Sequence, residues 1–487
     1  MTDLAFLPAV ELARRLRVRD VSAVELLHHH LKRVERLNPA INAVVVLDAE
    51  RALQRAHDAD AALARGESWG PLHGLPITVK EAFDVPGLAT TQGHEAQRGN
   101  IATTAAVSVA RLQAAGAIVF GKTNVPVALA DWQSFNPVYG TTNNPWDVTR
   151  IPGGSSGGSA AALAAGLSAL ELGSDIGASI RNPAHYCGVY GHKPTWGVVP
   201  LAGHQLPGEE CPDATDIAVA GPMARSAFDL TLALDILSAP LSAMTPLGRV
   251  PVAWRDSGTP PVQCRVAILY SDAQAEVDDS VQDALRKLAG FLRREGVAVS
   301  DDARPVDSAE THRVYVHHLR SALVGPYDDA TYGRARQAAA ALGHDDDSFT
   351  ARHWRAITTD HRAWLQADDV RARLRRQWAA YFERYDLLIC PVATTPAFPH
   401  NQVGYRWERM LDVNGREQPS TDQLFWAGYP GLCGLPCTVV PIGASREGLP
   451  IGAQIVGPVF ADPFTLRFAR WLETEFRGFV PPPLATA

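Results

Sequence analysis

Residues 152–183 read PGGSSGGSAAALAAGLSALELGSDIGASIRNP. Two loops rich in glycine and serine, at 153–158 and 173–179, enclose a helix of small residues at 159–165 and an apolar run at 169–172. Glycine permits backbone conformations and close approaches that other residues forbid, and bare backbone amides attract negative charge. The stretch therefore predicts a site where backbone amides meet a reacting group.

Strands and helices alternate on both sides of this stretch. Residues 75–79 are apolar and predict a buried strand, with Lys80 at its carboxyl end. Further strands are predicted at 117–120, 387–390, 437–440 and 451–456, and helices at 22–37, 105–115 and 463–475. Such alternation along a chain is typical of the α/β class.

The composition restricts the class of function. The 487 residues include 45 basic and 52 acidic side chains, which gives a net charge of −7. This balance argues against the basic surface expected of a nucleic-acid-binding protein. No apolar run approaches the ~18 residues of a membrane span, and the first residues lack the apolar core of a signal peptide. We predict a soluble cytoplasmic protein with neither nucleic-acid nor membrane partners.

No metal site and no organic cofactor are predicted. The cysteines lack the spacing of a zinc site and are expected to be reduced thiols, mostly buried. They are Cys187, Cys211, Cys264, Cys390, Cys433 and Cys437. Residues 28–30 are three histidines on a predicted helix, where consecutive side chains point to different faces and do not converge on one ion.

Two familiar motifs are interpreted as coincidental matches. Residues 116–123 (GAIVFGKT) match the Walker A string, but a helix precedes them and the residues between the glycines favour a strand. Residues 153–157 and 154–158 match the GxSxG nucleophile elbow, yet a loop precedes them where an elbow requires a strand. A nucleotide-binding or scaffold protein using 116–123 is the alternative outside enzymology.

Lys80, the pair Ser155 and Ser156, and Ser179 form a candidate reaction centre. Serine needs a base to act as a nucleophile. Lysine acts as a base only when neutral, and burial lowers a lysine pKa by up to about 3–5 units. A hydroxyl both donates and accepts, so one serine of the pair can pass a proton from nucleophile to lysine. The spacing does not choose between them. Amides in 173–179 would bind an oxyanion, which indicates acyl transfer.

These motifs resemble those of the amidase signature family of Ser–cisSer–Lys hydrolases. The matching segments are GLPITVK at 74–80, GGSSGG at 153–158 and DIGASIR at 175–181. Weaker similarity covers most of 4–200 and 385–472. The resemblance implies an α/β fold with a single large domain, in which helices flank both faces of a central twisted mixed β-sheet.

That domain is expected to span residues 1–487. Its expected parts are an N-terminal helical segment (1–70), a catalytic core (71–200), a variable, partly helical region that shapes the substrate site (201–384), and C-terminal strands and a helix that complete the core (385–475). The resemblance is weakest in the third part.

The resemblance also implies roles for the matched residues. Ser179 would be the nucleophile that forms the acyl-enzyme, Ser155 the relay, with its peptide bond to Gly154 in the cis form, and Lys80 the general base. The oxyanion would accept hydrogen bonds from the amides of Ile176, Gly177, Ala178 and Ser179. Residues expected to support this loop are Ser156, Asp175 and Arg181.

Ala178 departs from the family pattern, which usually has glycine at this position. If the backbone there has a positive φ, alanine is strained and one amide donor is displaced. If φ is negative, the methyl group only narrows the pocket. We expect activity in either case.

The expected reaction is hydrolysis of a carboxylic amide, on small apolar or aryl amides, with esters or carbamates (urethanes) as further candidate substrates. The chain is expected to act as a monomer or homodimer on this small molecule. Candidate pocket residues, for which ordinary packing is an equal alternative, are Trp132, Phe135, Tyr139, Phe425, Trp426 and Tyr429.

Within the family, the alternative function is that of a glutaminase-type amidotransferase subunit, which releases ammonia for tRNA-dependent amidation. That subunit typically has a Met-Asp-Glu-Phe-like stretch after Gly-Lys-Thr-Asn. Here residues 125–129 read VPVAL, which disfavours this function.

Overall fold

The computed structural model describes residues 3–205, 215–245, 248–325, 327–343 and 345–486. In chain order, the strands are β1 (Val44–Leu47), β2 (Pro76–Lys80), β3 (Ile118–Thr123), β4 (Phe135–Asn136), β5 (Gly140–Thr141), β6 (Glu171–Asp175), β7 (Tyr190–Lys193), β8 (Val219–Ala224), β9 (Ser242–Thr245), β10 (Gly248–Pro251), β11 (Arg265–Ile268), β12 (Ala298–Asp301), β13 (Leu387–Pro391), β14 (Met410–Val413), β15 (Arg416–Pro419), β16 (Cys437–Ala444) and β17 (Pro450–Val456).

The α-helices surround these strands. In chain order, they are α1 (Ala9–Arg17), α2 (Ala23–Ile41), α3 (Ala49–Ala64), α4 (Val107–Ala114), α5 (Gly157–Ala164), α6 (Arg181–Cys187), α7 (Ala227–Ser238), α8 (Asp279–Arg294), α9 (Ser308–Ser321), α10 (Asp329–Ala340), α11 (Phe349–Ile357), α12 (His361–Arg384), α13 (Leu424–Gly431), α14 (Asp462–Glu475) and α15 (Pro483–Thr486).

Eleven strands form one central sheet in the order β1-β3-β2-β6-β8-β7-β16-β17-β13-β11-β12. Strand β2 is parallel to β3 and β6, and β11 is parallel to β12 and β13, whereas the other neighbours are antiparallel. Every residue of β2, β3 and β6 is buried, as expected of strands covered on both faces. The predicted α/β class, with a central mixed sheet flanked by helices, is confirmed.

Helix α5 lies inside this core, and every one of its residues is buried. The glycines before and within it permit that burial. A Cβ atom on Gly158 would lie 2.3 Å from the backbone nitrogen of Asn124, and one on Gly154 would lie 2.4 Å from the carbonyl oxygen of Asp131. Any larger residue would force these segments apart.

Helix α2 and strand β6 end later than the sequence predicted. Helix α2 begins at the predicted Ser22–Glu25 capping box but continues through Pro39, and Asn42 ends it in the left-handed conformation. The Asn38 side chain accepts hydrogen bonds from the two backbone amides that follow this end, which supports the extra turn. Strand β6 extends to Asp175, beyond the predicted 169–172, because its antiparallel pairing with β8 continues that far.

The structure agrees with the interpretation of both coincidental motifs. Residues 118–123 of the Walker A match form the buried strand β3, so this segment cannot wrap around a phosphate. The nucleotide-binding alternative that rested on it is therefore wrong. Residues 151–152, just before the GxSxG matches, have no regular secondary structure, whereas a nucleophile elbow follows a strand.

Five cysteines have buried free thiols, at positions 187, 264, 390, 433 and 437, and Cys211 lies outside the described residues. The described ranges contain no helix with the length and apolar character needed to cross a membrane. Within the same ranges, no three His, Cys, Asp or Glu residues cluster closely enough to hold a metal ion.

Candidate active site

Three separate segments meet beside the centre of the sheet. Strand β2 ends at Lys80, and its parallel neighbour β6 leads directly into the loop 176–180. The loop that contains Ser155 precedes α5, and the amide of Ser156 donates a 3.1 Å hydrogen bond to the carbonyl of Ser179. The sheet therefore brings together the three segments that the sequence motifs singled out.

Lys80 is completely buried, and within the described ranges its amine hydrogen-bonds only to hydroxyl groups. Lys80 Nζ donates to Ser155 Oγ at 2.6 Å and to Ser174 Oγ at 2.9 Å. Burial lowers the pKa of Lys80 to about 7, and the more distant charge of Asp175 opposes this shift only in part. A large fraction of the amine is consequently neutral near pH 7 and can accept a proton.

Ser174 and His204 extend this network, and neither was predicted. His204 Nε2 lies 2.8 Å from Ser174 Oγ, the hydroxyl that also accepts from Lys80. Burial, together with the charge of Lys80, lowers the pKa of His204 to about 3, so the ring is neutral. Ser174 lies in the stretch 152–183, but the sequence alone does not show in which direction its side chain points. His204 belongs to a region where the motif resemblance is weak.

The two neighbouring serines take different positions. Ser155 accepts from Lys80, and the Gly154–Ser155 peptide bond is cis, as the resemblance implied. Ser156 instead links the two loops: its hydroxyl donates to the carbonyl of Ser174 at 3.3 Å. The contact with Lys80 therefore distinguishes Ser155 from Ser156, which the spacing did not.

Ser179 lines a cavity that opens beside the loop 176–180. The residue is 5% exposed, and its hydroxyl makes no hydrogen bond to any residue in the described ranges. Of the three serine hydroxyls, that of Ser179 is therefore free to meet a molecule in the cavity, whereas those of Ser155 and Ser174 are hydrogen-bonded to Lys80.

The loop 176–180 is fixed mainly through its carbonyl groups. Tyr315 Oη donates to the carbonyl of Ile176 at 3.0 Å, and Trp132 Nε1 donates to that of Gly177 at 2.8 Å. In the described ranges, the amides of Ile176, Gly177 and Ser179 have no hydrogen-bond acceptor. Unused amides in a loop held by its carbonyls are suited to bind an oxyanion.

Ala178 differs from the expectation for this loop. Its φ is +67°, so it adopts the left-handed conformation that favours glycine. Its amide donates to Asp175 Oδ1 at 3.0 Å and is therefore already used. The prediction that Ala178 supplies an oxyanion donor is wrong for this geometry, because the Asp175 carboxylate holds that amide on the other side of the loop.

Asp175 and Arg181 form a fully buried ion pair beneath the loop. Arg181 Nη2 donates to Asp175 Oδ1 at 2.9 Å and Arg181 Nε to Oδ2 at 3.0 Å. Burial alone would raise the pKa of Asp175, but the charge and hydrogen bonds of Arg181 outweigh it and lower that pKa. Arg181 Nη1 also donates to Gln454 Oε1 at 3.0 Å, which anchors the loop to β17.

Of the six predicted pocket aromatics, Trp132 lines the cavity. The prediction is wrong for the other five. Three of them are buried in the core: Phe425, Trp426 and Tyr429. They lie on the sides of helix α13 that face away from the cavity, and Leu424 of the same helix lines the cavity. The Phe135 ring packs near the Arg409 guanidinium, and the Tyr139 hydroxyl donates to Glu81 at 3.3 Å.

Comparisons with known proteins agree with this geometry. The family model of the amidases matches residues 25–466. An indoleacetamide hydrolase of Bradyrhizobium diazoefficiens is 33% identical, over 96% of this chain and 86% of that protein. A glutamyl-tRNA(Gln) amidotransferase subunit of Bdellovibrio bacteriovorus is 31% identical, over 97% of both chains. The solved structure of a 6-aminohexanoate cyclic dimer hydrolase complexed with substrate has a TM-score of 0.79 and 28% identity, and the match covers 99% of this chain and 100% of that one.

Proposed function

The chain belongs to the amidase signature family and is a hydrolase of amide C–N bonds, and we propose that Ser179 attacks the substrate through a proton relay of Ser155 and Lys80. The observation that carries the proposal is the 2.6 Å hydrogen bond between the amine of Lys80 and the hydroxyl of Ser155. A buried amine whose pKa is about 7, and whose direct contacts are hydroxyls, has the properties of a general base.

The proposed reaction has two stages. Neutral Lys80 takes the proton of Ser155 while Ser155 takes that of Ser179, and Ser179 Oγ bonds to the carbonyl carbon. The resulting oxyanion accepts hydrogen bonds from the amides of Ile176, Gly177 and Ser179. The proton then returns through the relay to the leaving nitrogen, the C–N bond breaks, and an acyl-enzyme remains. Water attacks this ester by the same proton path and releases the acid.

The proposed substrates are small apolar or aryl amides, with esters or carbamates as further candidates. Apolar residues that line the cavity support this choice: Ile176, Leu319, Leu323, Phe398, Leu411 and Leu424. Two of these residues belong to 201–384, and we propose that this region shapes the substrate site within a single amidase domain of residues 1–487, whose core is formed by 71–200 and 385–475.

The test of the proposal is a paired assay of wild type and Ser179→Ala on aryl and alkyl amides, esters and carbamates. We expect the variant to lose at least about 10⁴-fold in kcat. A fluorophosphonate should add one phosphonyl group to Ser179 in the wild type and none to the variant, as measured by peptide mass spectrometry. Ser257→Ala, at an exposed position outside the lining of the cavity, is the matched control. Retained turnover in Ser179→Ala would refute the assignment.

A second candidate is the amidotransferase subunit. The observation in its favour is the 31% identity to the Bdellovibrio bacteriovorus protein over 97% of both chains. Residues 125–129 (VPVAL) count against it. Purification of the native protein together with two partner chains, and glutamine-dependent ammonia release by that assembly, would favour this candidate. Isolation as a monomer or homodimer that hydrolyses simple amides would exclude it.

The cytoplasmic location and the state as a monomer or homodimer stay predictions. The buried free thiols at positions 187, 264, 390, 433 and 437 are compatible with a reducing compartment. Size-exclusion chromatography with light scattering would measure the oligomeric state directly.

A further inference from the structure

The cavity beside Ser179 has an excess of positive charge. Its lining includes the arginines Arg320, Arg406 and Arg409 but the single carboxylate Asp131. The whole chain has the opposite balance, a net charge of −7, so general composition does not explain this excess. The cavity is therefore locally cationic in an acidic protein.

One of the three arginines is neutralised within the protein. Arg409 Nη1 donates to Asp131 Oδ2 at 2.7 Å, and both side chains are largely buried. Arg409 also donates to the carbonyls of Val403 and Gly404, at 3.4 and 3.3 Å. This pairing uses the only carboxylate of the lining and leaves Arg320 and Arg406 without a counter-ion there.

Arg320 is 4% exposed, and within the described ranges its guanidinium has no hydrogen-bond or ion-pair partner. It packs near the Phe349 ring, with 5.6 Å between Cζ and the ring centroid. Burial, and next the charge of Arg406, lower the pKa of Arg320 to about 9. Arg320 and Arg406 both line the cavity that also contains Ser179.

Arg406 lies on the same cavity lining and is half-buried. Its Nε is buried and has no partner among the described residues. Burial lowers its pKa, while the charge of Asp131 opposes that shift. A buried cation without a counter-ion is costly, and Arg320 is one within the described ranges. Together with the half-buried Arg406 on the same cavity lining, it offers a binding site for an anion. A planar guanidinium matches a carboxylate by two parallel hydrogen bonds.

We propose that the substrate is an amide that also carries a carboxylate, which Arg320 and Arg406 bind while the amide carbonyl lies at Ser179. This assignment rests on the proposed function and narrows its substrate class. The apolar cavity residues Leu319, Leu323 and Leu424 lie on the same lining as both ends. They contact the hydrocarbon part of the substrate that separates the carboxylate from the amide. This middle part of the substrate is therefore apolar or aryl, as predicted from the sequence.

The test compares matched probes that differ in one carboxylate. The first pair is adipamate and 6-methylheptanamide, assayed by ammonia release. The second is 4-acetamidobenzoate and 4-acetamidotoluene, assayed by acetate release, so the pairs place the anion on the acyl and the amine side. We expect kcat/KM of wild type to be higher for the carboxylate in at least one pair. Arg320→Gln and Arg406→Gln should lower that value at least about 30-fold.

The neutral member of the same pair should change by less than about threefold in both variants, because its contacts do not involve the guanidinium groups. Arg286→Gln, an exposed position on α8 that is ion-paired with Asp283, is the control for loss of one positive charge. It should leave both members unchanged. Equal or faster turnover of the neutral members by wild type, with no selective loss in the arginine variants, would overturn the proposal.

A binding measurement separates this proposal from the catalytic one and needs no folded variant. Titration calorimetry on wild type should detect tighter binding of 4-ethylbenzoate than of 4-ethylbenzyl alcohol. Equal binding, or tighter binding of the alcohol, would refute the anion site even if Ser179 is the nucleophile. Conversely, wild type could bind the carboxylate tightly while Ser179→Ala keeps full activity. That pair of results would uphold the anion site and refute the proposed mechanism.

Discussion

Two buried lysines lie on neighbouring strands and have different surroundings. Lys80 is the last residue of β2, and Lys122 lies in β3. In the register of these two strands, Lys122 pairs with Val79 and not with Lys80. Because side chains alternate along a strand, the two lysines point to opposite faces of the sheet. Both are fully buried, and burial is the first cause of the lowered pKa in each case, to about 7 for Lys80 and about 8 for Lys122.

The groups that each amine contacts differ more than the two pKa values do. Lys122 Nζ donates to the carbonyl of Ala89 and to Thr90 Oγ1, and the charges of Glu81 and Asp84 raise its pKa. Lys80 Nζ contacts two serine hydroxyls. A hydroxyl both accepts and donates and can pass a proton onward, so each lysine has at least one such partner. Ser155, however, adjoins Ser156, whose amide hydrogen-bonds to the carbonyl of Ser179, whereas Thr90 contacts a lysine on the opposite face of the sheet. Burial produces a neutral lysine, and the neighbouring groups decide whether its proton can be used.

The largest expected effect is that of Lys80→Met. The variant keeps the apolar stem but has no base, so kcat should fall by about 10²–10⁴-fold, the usual range for general acid–base catalysis. Steady-state kinetics with thermal unfolding as a check on folding would measure it. A folded variant with more than a tenth of wild-type kcat would show that Lys80 is not the base.

The pH dependence should follow Lys80 and not Lys122. The base acts when unprotonated, so kcat/KM should rise with pH through about 7 and level off above it. At pH 6, one unit below that pKa, about a tenth of the plateau value is expected. A rise centred near pH 8 that disappears in Lys122→Met would show that Lys122, and not Lys80, is the base.

His204→Gln should have a smaller effect. The 2.8 Å hydrogen bond to Ser174 orients the hydroxyl that receives a hydrogen bond from Lys80, and loss of a neutral hydrogen bond costs about 1 kcal/mol. We expect kcat to fall about fivefold, with KM unchanged. Pre-steady-state acylation rates would place the loss in the chemical step. A change in KM alone would mean that His204 contacts substrate instead.

Lys122→Met should affect stability and leave catalysis nearly intact. The variant removes a cation beside the buried carboxylate of Glu81 and should lower the free energy of unfolding by about 3 kcal/mol. Turnover should stay within about twofold of wild type. Denaturant unfolding and kcat measured on the same preparation would test both statements. A large loss of kcat with unchanged stability would contradict the division between the two lysines.

The sequence predicted those members of the candidate site that lie in motifs. Lys80, the pair Ser155 and Ser156, and Ser179 lie in short segments whose glycines and strand context restrict their geometry, and the resemblance favoured Ser155 within the pair. The α/β class followed from alternating apolar runs, because burial on both faces leaves a clear pattern in strands such as β2 and β3.

Features that depend on packing between distant segments were not predictable in this way. His204 is 30 residues from Ser174 in the chain, and only the folded loop brings the ring to the hydroxyl. The aromatic residues of α13 match a pocket and a core equally well until the orientation of the helix is known. Arg320 and Arg406 lie in regions without a motif, and nothing in a sequence marks a guanidinium whose counter-ion is missing.

The position of Gln454 in the sheet has a consequence for biosynthesis. Strands β16 and β17 follow all other strands of the central sheet in the chain, yet they join the half of the sheet that contains β2 and β6 to the half that contains β11 to β13. Arg181 reaches Gln454 of β17 from the loop that carries Ser179. In a nascent chain, the two halves of the sheet therefore stay unjoined until β16 and β17 have left the ribosome.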